Sequence, residues 1–140
     1  MALPEHLQLH IVSADRLLVE EEVAEVEIPG ADGYFGVLPG HTPLLALLQV
    51  GELWYRKGTE KSYLSIAFGF AEVQPDRVTV LAQVAEKADE IDVARAEAAR
   101  KRAEERLAKP TVDMDFERAR IALLKAMIRL QVASRARIRS

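Results

Sequence analysis

Apolar and polar positions alternate in short runs along the first part of the chain. Leu7, Leu9 and Ile11 take every second position, and Ala24, Val26 and Ile28 do the same with Glu25 and Glu27 between them. A period of two buries one face of a strand and wets the other. Turn formers recur at Pro29-Gly30, Gly33, Gly36, Pro39-Gly40, Gly51, Gly58 and Pro75-Asp76. That cadence of short strands predicts an antiparallel sandwich or barrel rather than βαβ units. Val78, Val80, Ala82 and Val84 predict a last strand closing the core, and Leu53-Trp54-Tyr55 with the run from Tyr63 to Phe70 supply bulk for it.

From Asp89 the period becomes helical, with alanine and leucine enriched and glycine absent. Asp89 or Asp92 is placed to cap a first helix, and Glu97–Lys101 and Glu105–Lys109 have the favoured i,i+4 order. Lys109-Pro110-Thr111 ends that helix, because proline disfavours helical geometry in the residue before it. Thr111 or Asp113 is placed to cap a second helix. There Phe116, Ala119, Leu123, Ala126, Leu130 and Ala133 form an apolar stripe that faces Ala96, Ala99 and Ala103 of the first. The chain is therefore expected to be an N-terminal antiparallel β-sandwich over residues 1–87 followed by an α-helical hairpin over 88–140. An alanine seam buries little area, so the helices are expected to separate readily.

Charge changes the picture of the second part. No acid follows Glu117, while seven basic residues (Arg118, Arg120, Lys125, Arg129, Arg135, Arg137 and Arg139) lie beyond it. The last 23 residues thus carry +7, which leaves 12 basic against 22 acidic residues before them. An acidic body with a basic tail calls for an acidic partner. Basic tails also grip nucleic acid, but this one lacks interleaved aromatics, so no nucleic-acid partner is expected.

Candidate chemistry is sparse. Without cysteine there are no disulfides or thiolate metal sites, and three scattered histidines give no ligand spacing. His41 follows a Pro-Gly turn but has no serine, cysteine or carboxylate at a triad spacing, so no catalytic residue is assigned and no enzyme activity is expected. Gly33 to Gly40 is glycine-rich but does not match phosphate-loop spacing. Met1 to Glu5 shows no basic stretch leading into an apolar run, and no run approaches the roughly 20 apolar residues that cross a bilayer. The expectation is a chain neither secreted nor inserted in a membrane, though able to sit on a membrane complex. On the hairpin, Asp92, Arg95 and Arg102 share one face, and Lys125 and Arg129 share another. If these faces converge, four cations surround a space suited to a polyphosphate.

Gly36-Val37-Leu38-Pro39-Gly40-His41-Thr42-Pro43-Leu44 resembles the LPGHxPL loop of the epsilon subunits of F-type ATP synthases. Glu72 to Ala82 resembles their final strands, and Ile91-Asp92-Val93-Ala94-Arg95-Ala96 is similar to the motif by which some bacterial members bind ATP. The resemblance runs from about Leu7 to Val132. It implies a non-catalytic rotor subunit of the proton-translocating synthase whose sandwich touches the gamma subunit and the c-ring, with Tyr34, Leu38 and His41 as rotor contacts. It implies a hairpin that extends to restrain ATP hydrolysis through transient contact with the catalytic α/β subunits, with Arg118, Arg120, Lys125, Arg129 and Arg135 meeting an acidic region of β. ATP is implied as a regulatory ligand, with no required cofactor, at Glu86, Asp92, Arg95, Ala96, Arg102, Lys125 and Arg129. A peripheral place on the cytoplasmic face of the bacterial plasma membrane follows.

Three departures stand out. Lys125 replaces an arginine, which keeps the charge without the bidentate fork. Tyr34 stands where glutamate is common, and Ala67-Phe68-Gly69-Phe70 replaces a Ser-Gly-Gly pattern. The rival reading is a free-standing nucleotide-sensing regulator, for which the Asp92, Arg95 and Arg102 face matters and the His41 loop does not.

Overall fold

A computed structural model describes residues 3–139, with side chains through Ala136. The described residues divide after Lys87 into two compact units. The first holds seven strands: β1 (Leu7–Val12), β2 (Leu17–Val23), β3 (Glu25–Gly30), β4 (Gly33–Val37), β5 (Leu44–Lys57), β6 (Glu60–Val73) and β7 (Arg77–Lys87). They hydrogen-bond in the order β2-β1-β7-β6-β5-β3-β4. This sheet folds over into a sandwich, so that β2 packs against β5 although the two are not ladder neighbours.

The inward residues are those that the alternation marks. Leu7, Leu9, Ile11, Val26, Ile28, Leu53, Leu64, Ile66, Val78 and Val80 are all buried in one core. Every pairing is antiparallel except β1 with β7, which runs parallel from Gln8 opposite Arg77 to Val12 opposite Leu81. These two strands lie far apart in sequence, and alternation alone carries no direction for such a pair.

The long strands serve both layers, and each changes its inward face midway. On β5, Leu48 and Val50 point inward before Gly51, and Leu53 and Tyr55 after it. On β6 the change lies at Phe68-Gly69, between Leu64/Ile66 and Ala71/Val73. On β7 it falls between Ala82 and Ala85, which leaves Val84 outward and exposed, contrary to its place in the expected core face. Kinks at glycine allow a strand to turn such a corner. Phe68 takes part at φ 63 and Gly69 at φ 120.

The second unit opens with a single 3-10 turn, Ala88–Glu90, followed by α1 (Val93–Ala108) and α2 (Phe116–Arg139). The seam between the helices consists of Ala96 and Ala103 on α1, with Ala119, Ala126, Val132 and Ala133 on α2, all buried. Apart from Val132, they recur every seven residues on each helix, the spacing of a narrow helix–helix contact. Ala99, Leu123 and Leu130 are half-buried flanks, and Phe116, expected in the stripe, is exposed.

Candidate functional site

One end of the sandwich gathers short turns around the start of β5. The β3–β5 ladder breaks there, since Glu27 pairs with Trp54 and the next pair is Gly30 with Leu48. Pro29, inside the break, has no N–H to offer a ladder. Tyr34 on β4 is the register partner of Pro29, and its side chain reaches over Pro29 to β5. The backbone N–H of Glu52 donates to the Tyr34 hydroxyl over 3.0 Å. Gly51 makes this approach possible, because a Cβ there would lie 2.5 Å from both the Tyr34 hydroxyl and Pro29 Cβ. The Ala31 N–H donates to the Leu47 carbonyl over 2.8 Å. Between the β3–β4 turn and Leu44–Leu47 lies a cleft of about 530 Å³, with Asp32, Tyr34 and Phe35 in its wall.

The loop from Leu38 to Pro43 joins the same end. Gly40, at φ 87, donates its N–H to the Pro75 carbonyl over 2.7 Å, which ties the loop to the β6–β7 turn. His41 closes a tight turn by donating its N–H to the Leu38 carbonyl. Its ring Nδ1 donates to the Thr42 carbonyl over 2.6 Å, so the half-buried imidazole is a loop brace. Leu38 is exposed. Along the outward face, Leu47, Phe70 and Leu81 are register partners on β5, β6 and β7, with exposures of 71%, 42% and 39%. Leu45, on the same face as Leu47, is also exposed. A contiguous apolar row of this kind on a small unit marks an interaction surface.

The hairpin residues fall into different environments. Asp92 caps α1 by accepting the Arg95 backbone N–H over 3.0 Å. This brings Asp92 and Arg95 together through the backbone rather than through the guanidinium. Arg95 and Arg102 are exposed, one residue before the buried seam positions Ala96 and Ala103. Lys125 and Arg129 are half-buried, and both are engaged by neighbours. Glu86 lies in the other unit, half-buried on β7 opposite Ser65.

The basic side chains of α2 are partly committed to each other's neighbours. Arg118 and Lys125 line a shallow cleft of about 390 Å³ with Asp115, Glu117, Ile121 and Ala122. Arg120 pairs with Glu117 over 2.5 Å. That hydrogen bond holds the Glu117 carboxyl below, and the Arg120 guanidinium above, their ordinary ranges. Arg135 is half-buried and engaged. The side chains of Arg137 and Arg139 lie outside the described residues.

Several local expectations are corrected. The cap of α2 is Asp115, which accepts the Arg118 N–H over 3.0 Å, rather than Thr111 or Asp113. Along α1, Arg100 takes both Glu97 and Glu104, at 2.7 and 3.3 Å, where Glu97–Lys101 was expected. An arginine fork reaches i−3 and i+4 partners together, which a lysine ammonium does less readily. The apolar row and the Tyr34–Glu52 contact were not foreseen, since both depend on which strands become neighbours. Among the described residues no group of His, Cys, Asp and Glu is placed to hold a metal ion.

Comparison with known proteins covers both units. Residues 6–88 match the family described as "ATP synthase, Delta/Epsilon chain, beta-sandwich domain", and residues 89–134 match its "long alpha-helix domain". The chain is 51% identical over 130 residues to ATP synthase epsilon chain 2 of Syntrophotalea carbinolica, covering 92% of this chain and 94% of that one. It is 45% identical over 133 residues to the ATP synthase epsilon chain of Solibacter usitatus, covering 95% and 99%. Among solved structures it is similar to a chain of the Euglena gracilis mitochondrial ATP synthase, in a cryo-EM structure of OSCP, F1 and the c-ring. There the TM-score is 0.80 at 26% identity, covering 99% of this chain and 84% of that one.

Proposed function

The chain belongs to the delta/epsilon chain family of ATP synthase, and from that premise we propose that it works as a non-catalytic central-stalk subunit coupling c-ring rotation to ATP synthesis. Turnover belongs to other chains of the complex. The observation that carries this reading is the exposed row Leu45, Leu47, Phe70 and Leu81 on a unit whose own core is already full. Such a row is suited to a standing partner, which we take to be the gamma subunit. The adjoining turns, with Tyr34, Leu38 and His41, then face the c-ring. Among the described residues no helix is long and apolar enough to cross a membrane. On its kinship with ATP synthase epsilon chains, we take the subunit to be a peripheral component, held by its partners at the cytoplasmic face of the bacterial plasma membrane.

In this proposal the hairpin is the regulatory part. Arg118, Arg120, Lys125, Arg129 and Arg135 present positive charge to an acidic region of the catalytic β subunits when the helices extend, and so restrain hydrolysis. The Glu117–Arg120 pair lies on the surface, where such pairs contribute little and exchange readily for another carboxylate. ATP acts as a regulatory ligand of the closed hairpin, through Asp92, Arg95, Ala96, Arg102, Lys125 and Arg129. The alanine seam suits a hairpin whose closure a ligand decides, because its small side chains bury little area.

Two measurements test these parts. Immobilised full-length chain is expected to capture purified gamma subunit and c-ring, and Leu47→Glu to weaken that capture; no capture by the natural chain removes the rotor reading. Isothermal titration with ATP, with and without magnesium, is expected to show saturable heat that Arg95→Ala abolishes. Heat without capture of either partner would favour a free-standing nucleotide sensor.

A further inference from the structure

We propose that Tyr34 is the positioning residue of the rotor contact: its hydroxyl, bonded to the Glu52 amide, ties the β3–β4 turn to β5 and presets the surface that meets the ring. The inference rests on the rotor reading given above and names what holds that surface in place.

The β3–β4 hairpin needs such a tie. β4 is an edge strand whose ladder neighbour is β3. β3 in turn leaves the β5 ladder across Ile28 and Pro29. Beyond that break the turn is held to β5 through Ala31 N–H to the Leu47 carbonyl and through the Gly30–Leu48 pairing. Tyr34 bridges the break itself. The tip of its ring lies against Gly51, beside Pro29, and its hydroxyl accepts from the Glu52 N–H, 3.0 Å away. A side chain with an apolar body and a polar tip can fill both roles. Because this contact spans the break, the cleft between residues 30–35 and 44–47 keeps its shape without a partner. A surface preset in this way avoids the ordering cost that a loose hairpin meets on binding.

Tyr34→Phe in the full-length chain is the test, since it removes the hydroxyl and keeps the ring. Three readouts are taken: amide exchange at Glu52, Ala31 and Gly33 by NMR, affinity for a gamma–c-ring subcomplex, and the ratio of ATP-driven ion pumping to ATP hydrolysis in the reassembled synthase. Exchange at Glu52 and at the turn is expected to accelerate, and affinity to fall roughly two- to tenfold, the range of one net hydrogen bond. The pumping ratio is expected to fall, which a loss of stability alone does not produce. Faster exchange with natural affinity and pumping would overturn the positioning role, leaving a purely structural bond. Unchanged exchange at Glu52 would overturn the tie itself. If the natural chain fails to bind the subcomplex, the rotor reading falls and takes the inference with it. A second variant, Gly51→Ala, displaces the ring by contact instead of removing the hydroxyl. Its effect on affinity is expected to be far less than additive with Tyr34→Phe, as for two changes acting on one contact.

Discussion

Gly69 on β6 and Leu81 on β7 approach so closely that a Cβ on Gly69 would overlap the Leu81 carbonyl oxygen. The contact sits where β6 changes its inward face, next to Phe68 at φ 63. Gly69 itself, at φ 120, occupies backbone space that favours glycine. The corner of the sandwich thus depends on one residue for two reasons, conformation and room.

Gly69→Ala is therefore expected to destabilise the sandwich by about 2 to 5 kcal/mol, combining backbone strain with overpacking. Urea unfolding followed at Trp54 fluorescence measures it. A midpoint within error of the natural chain would show that β6 and β7 relax apart at little cost.

Asp92→Ala removes the cap of α1 and is expected to lower the stability of the hairpin unit by about 1 kcal/mol, with no comparable change in the sandwich. Asp92→Asn, which keeps an acceptor oxygen, is expected to recover most of it. Thermal melts followed by circular dichroism at 222 nm separate the two variants. Equal losses in both would point to the charge at the helix N-terminus rather than to the hydrogen bond.

The two-part fold was legible in the sequence because the two periods are clean. Leu7-Leu9-Ile11 can satisfy a core only as a strand, and a glycine-free stretch rich in alanine and leucine after Asp89 favours helix. The corner at Gly51 and Phe68-Gly69 was not legible, since a strand that changes its inward face looks like noise in an alternating pattern. For that reason Val84 was assigned to the core and is exposed. The apolar row was hidden for a related cause: Leu47, Phe70 and Leu81 are distant in sequence and become one surface only through the β5–β6–β7 registers. Asp92 was legible as a cap because its neighbours supply the whole context. The cap of α2 was missed by two residues, as Thr111, Asp113 and Asp115 all qualify by residue type and only the path of the connection selects Asp115.

The seam makes a sharper prediction about the hairpin. Ala103 is 2% exposed against α2, and leucine there adds bulk where no room exists. Ala103→Leu is expected to drive the helices apart while leaving each helical, since Arg100 pairs with Glu97 and Glu104 within α1 itself. Limited trypsin digestion at Arg106, in the last turn of α1, and at the arginines of α2 is expected to accelerate several-fold, with ellipticity at 222 nm almost unchanged. Protection equal to the natural chain would mean that the seam tolerates a wider spacing.

Acid should loosen the start of α2 in a defined direction. The Arg120 guanidinium hydrogen-bonds the Glu117 carboxyl and holds its pKa below the ordinary value, on an exposed face in the first turn of the helix. A folded-state pKa that is lowered gives stabilisation that is complete above the unfolded glutamate value of about 4.3 and is lost as pH falls through the lower folded value. Protonation also removes a negative charge from the positive end of the helix dipole. Between neutral pH and about 4.3 the α2 start is therefore expected to stay intact, and below it amide exchange at Glu117 to Arg120 is expected to rise relative to its intrinsic rate. Glu117→Gln keeps the length of the side chain without its charge and is expected to show the looser start at neutral pH, with no further step in acid. A step of the same size in that variant would assign the transition to another carboxylate, with Asp115 at the cap the first to replace by asparagine.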